Sequence, residues 1–387
     1  MHLALITTSY PDNTPGSEAA GSFVEDFTLE LAKHIKVTVI APATESSTTH
    51  KQNLTIERFQ VPRLPLSLLK PHKPSDWNAI YTTIANGKKT LSNIAKTQKI
   101  DHTFALWALP SGYWARCLLK EKGTPYSVWT LGSDIWSLGR IPIIKNIIRK
   151  ILRDSQHCYS DGIKLKQDTE TIAGRECSFL PSTRNIVLKK VKSLSSSAPY
   201  RLIFIGRWHP NKGIDILLES LFLLSQTDWK KISEVTICGG GPLEVLVQKK
   251  VDDLISRELP ISLHGYVDKE KATQLLHKSD YLLLPSRIES IPVIFSDALQ
   301  TKCPVIATPT GDLPRLIVEY NTGVLATEIT PTSFSNAIKV ALDTPPSSFA
   351  NDLEKSKSLF SLKRSSEVFL QAIQKNTASL SKEKQCP

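Results

Sequence analysis

Tyr281-Leu-Leu-Leu-Pro-Ser-Arg-Ile-Glu-Ser-Ile-Pro-Val-Ile-Phe-Ser-Asp297 reads as a strand, a loop and a helix in turn. The apolar run Tyr281–Leu284 has the length of a buried strand and is stopped by Pro285. Pro292 sits where it can open a helix, because its missing N–H would have no intrahelical partner in a first turn. The free backbone N–H groups and positive dipole end at that point form an anion site. Glu289 lies before it and Asp297 after it, with seven residues between them. Two carboxylates beside an anion site suit a ligand that is phosphate at one end and polyhydroxylated elsewhere. A loop carboxylate and a helix-capping one are the commoner explanation of such a stretch taken alone, so its meaning depends on what surrounds it.

Outward from this stretch the same unit repeats. In the second half, strands are expected at Tyr200–Ile205, Glu234–Cys238, Ile261–Leu263, Tyr281–Leu284 and Pro304–Ala307. Helical runs at Gly213–Leu224, Pro242–Ile255 and Lys269–Lys278 separate them. The first half runs likewise, with strands at Leu3–Thr7, Val37–Ala41, Thr55–Phe59, His102–Leu106, Tyr126–Thr130 and Gln156–Tyr159. Strands interleaved with helices argue for parallel sheets covered on both faces. Lys189-Lys-Val-Lys-Ser-Leu-Ser-Ser-Ser-Ala198 is polar, lacks periodicity and has linker composition. The expectation is an α/β protein of two Rossmann-like domains facing across a cleft: 1–188, a linker at 189–198, 199–360, and a helix and tail at 361–387.

The chain has 387 residues and a net charge of +11, too long for one ordinary core. Six scattered cysteines (117, 158, 177, 238, 303, 386) form no C-x-x-C pair, and nine histidines form no metal-ligating cluster. Reduced core thiols in a cytoplasmic protein are expected. The start Met1–Thr8 lacks the basic and long apolar regions of a signal sequence. No zinc-finger, RNP-like or helix-turn-helix pattern directs the basic charge to nucleic acid. An anionic membrane surface is the alternative partner.

Three further loops carry chemistry. Ile205-Gly-Arg-Trp-His-Pro-Asn-Lys-Gly213 puts Arg207 and Lys212 after a strand, a planar fork and a mobile point charge suited to a diphosphate. Cys238-Gly-Gly-Gly-Pro242 lets a helix start approach a ligand closely, Gly240 at its centre. His264-Gly-Tyr-Val267 ends another strand on the same side. Loop cations are usually just solvated, and the glycines do not fit the dinucleotide fingerprint. The joint occurrence carries the reading.

In order and spacing, Gly-Arg-x-x-x-x-Lys-Gly, Gly-Gly-Gly-Pro, Gly-Tyr-Val, Leu-Pro-Ser-Arg-x-Glu-Ser-x-Pro and Pro-Val-Ile-Ala-Thr resemble family 4 retaining glycosyltransferases (GT-B fold, glycosyl transferases group 1). Tyr10-Pro, Gly21-Ser-Phe-Val, Trp107-Ala-Leu-Pro-Ser-Gly112 and Thr130-Leu-Gly-Ser-Asp134 extend the likeness over nearly the whole chain. The resemblance implies a nucleotide-diphosphate sugar donor and a glycan or lipid-linked acceptor in cell-surface polysaccharide biosynthesis. Arg207 and Lys212 would neutralise the leaving diphosphate, and Glu289 would hold the transferred hexose. Ser290, Ile291 and Val293 would position sugar and phosphate through backbone N–H groups. Asp297, in place of the family's second Glu, would bind ribose, and Val267 the base. Gly21 would let the N-terminal loop close over the diphosphate, and Asp134 would lie on the acceptor side. No metal or other cofactor is implied.

Leu131 stands where many members have His, and Gly311-Asp-Leu-Pro-Arg315 replaces Gly-Gly-x-x-Glu with a reversed charge. A nucleotide-sugar epimerase of the same fold and a non-catalytic binding protein are the alternatives. In Ile141–Leu152 the residues 144, 147, 148, 151 and 152 form an apolar stripe with Lys145, Arg149 and Lys150 elsewhere on the wheel. The stripe is expected to be buried, its cations leaving a basic surface for peripheral attachment to the inner face of a membrane.

Overall fold

Uninterrupted apolar runs become parallel strands whose two faces are both covered. The computed structural model describes residues 1–12, 18–188 and 192–383. One sheet contains β1 (His2–Ile6), β2 (Lys36–Ala43), β3 (Ser47–Lys51), β4 (Leu54–Gln60), β5 (His102–Leu106), β6 (Tyr126–Thr130), β7 (His157–Ser160) and β8 (Ser178–Phe179). Its order is β3-β4-β2-β1-β5-β6-β7-β8, parallel except for the antiparallel edge pair β3–β4. The other contains β9 (Tyr200–Arg207), β10 (Ile232–Gly240), β11 (Ile261–His264), β12 (Tyr281–Leu284), β13 (Val305–Ala307) and β14 (Gly323–Leu325), in the order β11-β10-β9-β12-β13-β14 and parallel throughout. Every residue of β1, β5, β6 and β12 is buried.

The chain divides into two compact units. The first holds Met1–Asp12, Phe23–Pro181 and the segment from Leu362 onward; the second holds Ser182–Ser361 and the residues preceding Phe23 in the helix Glu18–Ala32. The change falls at Pro181/Ser182, ahead of the expected boundary at 188. Side-chain anchoring explains the shift: Thr183 donates to the Phe360 carbonyl at 2.9 Å, and Gln300 donates to the Arg184 carbonyl at 3.1 Å. Ser195, in the Ser-rich stretch, donates to Asp280 at 2.5 Å. Residues 189–191 of that stretch, and Cys386, lie outside the described residues. The C-terminal helix Leu362–Glu383 belongs to the first unit because Phe369 enters its aromatic core, with ring centroids 4.1 Å from Phe104 and 5.9 Å from Tyr159. Such ring pairs contribute about 1 kcal/mol each beyond the area they bury.

The five described cysteines are free thiols. The expected stripe on the helix Pro142–Asp154 is half right: Ile148, Ile151 and Leu152 are buried, but Ile147 is exposed. Among the described residues, no helix is long and apolar enough to cross a membrane.

Candidate functional site

The second sheet changes its direction of growth at β9, with β10 and β11 on one side and β12 to β14 on the other. In an open parallel sheet that reversal leaves a crevice outside the strands' C-terminal ends, where two loops part. Arg207 ends β9, and Glu289 lies in the loop leaving β12. Between them, the short turn Pro210–Lys212 carries Lys212, closing that turn rather than opening the next helix. The Lys212 ammonium and the Glu289 carboxylate form an ion pair. Arg207 is half-buried, and its guanidinium has no acceptor among the described residues.

The two loops are held together by contacts that the sequence does not announce. Arg287 grips Asp215 with both guanidinium nitrogens, at 2.8 and 2.6 Å, and donates to the Pro210 carbonyl at 2.7 Å. The Asp215 carboxyl is half-buried, which by itself favours the neutral form, yet the Arg287 fork holds it below the ordinary carboxylate range. Gly213 has φ +68, and a Cβ there would stand 1.8 Å from the Pro285 carbonyl oxygen. Only glycine permits this approach of the Lys212 turn to the β12 loop. Gly311 (φ +56) acts likewise from the β13 loop, where a Cβ would meet the Glu289 carbonyl oxygen at 2.2 Å.

Beyond Glu289, Pro292 is the cap residue of the helix Val293–Gln300, with Val293 in its first position. The N–H groups of Ser290, Ile291 and Val293 have no acceptor among the described residues. Ser290 is buried and its hydroxyl is also without a partner. A buried hydroxyl left unmade costs about 1–3 kcal/mol, so this is a place prepared for a polar ligand. Three backbone donors, one hydroxyl, two cations and one carboxylate are thus carried by the loops that leave β9 and β12.

Gly240 ends β10, and the Tyr266 hydroxyl donates to its carbonyl at 2.7 Å. Trp208, fully inside, donates its backbone N–H to the same carbonyl at 2.8 Å and so packs the glycine loop onto the β9 loop. Val267 follows β11, just before the helix Lys269–Lys278, whose start Asp268 caps through the Lys271 N–H at 2.7 Å.

Three candidates sit differently from their expected places. Asp297 is wholly buried in the helix Val293–Gln300, and its carboxylate is bound by Arg184. The sequence carries no signal for Arg184, since nothing in the pattern of a loop arginine points to a carboxylate so far along the chain. Gly21 is inside the helix Glu18–Ala32 rather than in a loop, because the helix begins earlier than its apolar periodicity does. Asp134, in the first unit, is buried rather than facing a ligand, and accepts the N–H groups of Ala108 at 2.8 Å and Leu131 at 3.3 Å. Burial pushes its carboxyl up to about 6, against the pull of these backbone donors. Asp134 thereby fixes the turn Ala108–Gly112 that leaves β5, beside the first sheet's own reversal between β1 and β5. Trp107 opens that turn at φ +67, a strained value for a bulky residue, and the buried Ser111 hydroxyl has no partner among the described residues. Arg315 pairs with Glu319 along its own exposed helix face at 3.0 Å.

Among the described residues, no group of three or more His, Cys, Asp and Glu side chains is gathered as a metal site.

Comparison with known proteins places this geometry. An uncharacterised glycosyltransferase of Methanocaldococcus jannaschii is 25% identical over 266 residues, covering 66% of this chain and 69% of that protein. A Bacillus subtilis glycosyltransferase assigned provisionally to teichuronic acid biosynthesis is 23% identical over 358 residues, covering 83% and 84%. Relatives named D-inositol 3-phosphate glycosyltransferase match over a shorter span, 34% of the Jonesia denitrificans protein. An Escherichia coli trehalose-6-phosphate structure bound with UDP-2-fluoro glucose superposes with a TM-score of 0.74 at 10% identity, covering 96% of this chain and 99% of that one. The fold is therefore of the GT-B type. Residues 199–344, which include Arg207, Lys212, Gly240, Val267, Glu289 and Asp297, match the family profile described as Glycosyl transferases group 1.

Proposed function

We propose that the chain is a retaining glycosyltransferase that moves a hexosyl group from a nucleotide-diphosphate sugar to a glycan or lipid-linked saccharide. The observation that carries this reading is the placement of an acceptor-free Arg207 and the Lys212–Glu289 pair at the β9/β12 reversal, beside open backbone donors. Lys212 and Glu289 neutralise each other while the site holds no donor. A bound donor separates their duties: the ammonium turns to a diphosphate oxygen, and the carboxylate accepts a sugar hydroxyl. The bond between the anomeric carbon and the phosphate oxygen breaks as an acceptor hydroxyl attacks from the same face. Its proton passes to the departing phosphate oxygen, and Arg207, Lys212 and the N–H groups at Ser290, Ile291 and Val293 stabilise the negative charge left there. Positive charge from these groups takes the place a divalent ion would fill, so transfer proceeds without metal. The UDP-sugar bound to the Escherichia coli neighbour supports the donor class, and the teichuronic acid relative supports a cell-surface polysaccharide acceptor.

The test is incubation with a panel of nucleotide sugars and membrane-extracted acceptors, with and without EDTA. Nucleoside diphosphate release together with a product of unchanged anomeric configuration by NMR is expected in both conditions. Donor isomerisation would make the chain an epimerase, and binding without turnover a non-catalytic protein. Activity abolished by EDTA and restored by magnesium would overturn the charge-neutralisation account.

A further inference from the structure

Cys158 lies in β7, and Cys177 immediately precedes β8. The two strands run parallel, with Tyr159 beside Ser178 and Ser160 beside Phe179. One step back, that register sets Cys158 beside Cys177. Alternation along a strand puts Cys158 and Ser160 on one face of the sheet. The Ser160 hydroxyl is 3.1 Å from the Cys177 sulfur, so Cys177 points to that face too. Neighbouring strands are about 4.8 Å apart, and a disulfide joins Cα atoms about 4.4–6.8 Å apart. The two sulfurs therefore need no change of strand pairing to meet.

A buried thiol is ordinarily inert, because apolar surroundings disfavour the thiolate that reacts. Cys238 and Cys303 obey this rule: burial pushes each up to about 11. Cys177 departs from it, although it too is enclosed in an apolar core. Hydrogen bonding from Cys158 holds the Cys177 thiol below the ordinary range against the effect of burial, and the Ser160 hydroxyl adds to the pull. The same contact pushes the Cys158 thiol up. One sulfur is thus prepared to attack, and its neighbour keeps its proton until it is needed. Access is local. β8 has two residues and is the edge of its sheet, and Cys177 is flanked in sequence by exposed Glu176 and Ser178. A short edge segment of this kind opens more readily than a central strand. Its resting position is nonetheless set, since the Cys177 N–H donates to Glu170 at 3.0 Å and Arg175 donates to the Gln156 carbonyl at 3.0 Å.

We propose that Cys158 and Cys177 form a peroxide-sensitive dithiol that closes to an intramolecular disulfide. The Cys177 sulfur attacks one oxygen of hydrogen peroxide. An S–O bond forms, the O–O bond breaks, and the departing hydroxide takes up the proton that Cys177 released. Cys158 then loses its proton, and its sulfur attacks that of the Cys177 sulfenic acid. The S–O bond breaks, and the hydroxide leaves with the Cys158 proton as a second water. Two thiols have lost two electrons and two protons, and the peroxide has been reduced to two waters. The reaction involves neither donor nor acceptor sugar, so its failure leaves the transferase reading standing.

The experiment treats the fully reduced, folded full chain with stoichiometric hydrogen peroxide, blocks the remaining thiols with N-ethylmaleimide in denaturant, and maps the digest by mass spectrometry. A cross-linked peptide pair holding Cys158 and Cys177 is expected ahead of any oxidation at the half-buried Cys117, with both thiols recovered after dithiothreitol. Cys158→Ser should leave Cys177 as a sulfenic acid that dimedone captures, and Cys177→Ser should leave Cys158 unoxidised. Circular dichroism checks both variants, and the wild-type map decides the matter where either fails to fold. Oxidation of Cys117 first, or of Cys177 alone to the sulfinic acid in the wild-type chain, overturns the proposal. So does a disulfide that joins either cysteine to any other.

Discussion

Lys212→Met is the sharpest perturbation of the proposed site, because methionine keeps an unbranched stem and removes only the charge. Lys212 is about one-third exposed and Glu289 is more enclosed, so an effective dielectric near 20 is appropriate. A unit charge about 4 Å from a phosphate oxygen is then worth roughly 4 kcal/mol. Part of that is already present when the intact donor binds, and Arg207 remains. About 3 kcal/mol of transition-state stabilisation should be lost, which corresponds to roughly 10²-fold in kcat. The donor KM should change much less, since the charge on the leaving oxygen grows only as the bond breaks. The unpaired Glu289 faces the crevice and can be hydrated, so the stability cost should be about 1 kcal/mol. The assay is a donor titration at saturating acceptor, following nucleoside diphosphate release, with thermal unfolding run in parallel. A folded variant whose kcat stays within threefold of wild type would refute the leaving-group role. A large rise in KM with unchanged kcat would make Lys212 a binding residue only.

Asp215→Asn and Arg287→Lys each dissolve the two-pronged contact that ties the Lys212 turn to the Glu289 loop, since neither an amide nor an ammonium reproduces the fork. Each should lower kcat about tenfold while costing only about 1 kcal/mol of stability; kcat equal to wild type in both would show that the loops stay in register without it. Asp297→Asn strips the carboxylate charge from a buried pair with Arg184 and should destabilise by about 3 kcal/mol in denaturant unfolding, whereas Glu289→Gln should keep near-native stability and lose kcat. The reverse pattern would exchange the structural and catalytic roles of these two acids. Asp134 is held near 6 in the folded chain against 3.8 for an ordinary aspartate, so the folded state takes up a proton and stability should fall as pH rises from about 4 to about 6, by about 2–3 kcal/mol at most. Asp134→Asn keeps one acceptor oxygen, enough for the Ala108 N–H at 2.8 Å, gives up the longer bond from Leu131, and should flatten that window; an unchanged pH profile would show that the carboxyl is not protonated on folding.

The fold was legible because its information is local. Tyr281–Leu284 and His102–Leu106 are short apolar runs between turn residues, and sheets buried on both faces require just such runs. The helix Lys269–Lys278 was readable to its ends, since Asp268 caps one and Ser279 begins the next extended segment. What escaped was where periodicity is absent. β3 (Ser47–Lys51) is exposed at every residue and is a strand only because the main chain of β4 pairs with it. β8 and β14 are two and three residues long, too short for any pattern to register. The unit boundary was placed at a Ser-rich stretch for its composition, yet composition does not record that Thr183 and Arg184 are bonded to residues of the second unit.

The site divides along the same line. Arg207, Lys212, Glu289 and the open helix start at Val293 could be grouped as one candidate site because each is a residue type or a backbone feature at a strand or helix end, and strand ends are visible in a sequence. Asp297, Asp134 and Asp215 are carboxylates too, and their types and local patterns gave no means of telling them from Glu289. What separates them is the partner. Asp297 has Arg184, Asp134 has two backbone N–H groups, Asp215 has Arg287, and all of those contacts but the one from Leu131 span a distance in sequence that no local pattern reports. Glu289 also has a cation, but that cation sits at the mouth of a crevice beside unused donors, where a diphosphate can take it away. A carboxylate whose partner can be claimed by substrate is available for chemistry, and one whose partner is enclosed, as for Asp297, or gripped by both prongs of a guanidinium, as for Asp215, holds the fold. That distinction is drawn by partner geometry and by the reversal of the sheet at β9, and it becomes visible only when loops from β9 and β12 are seen side by side.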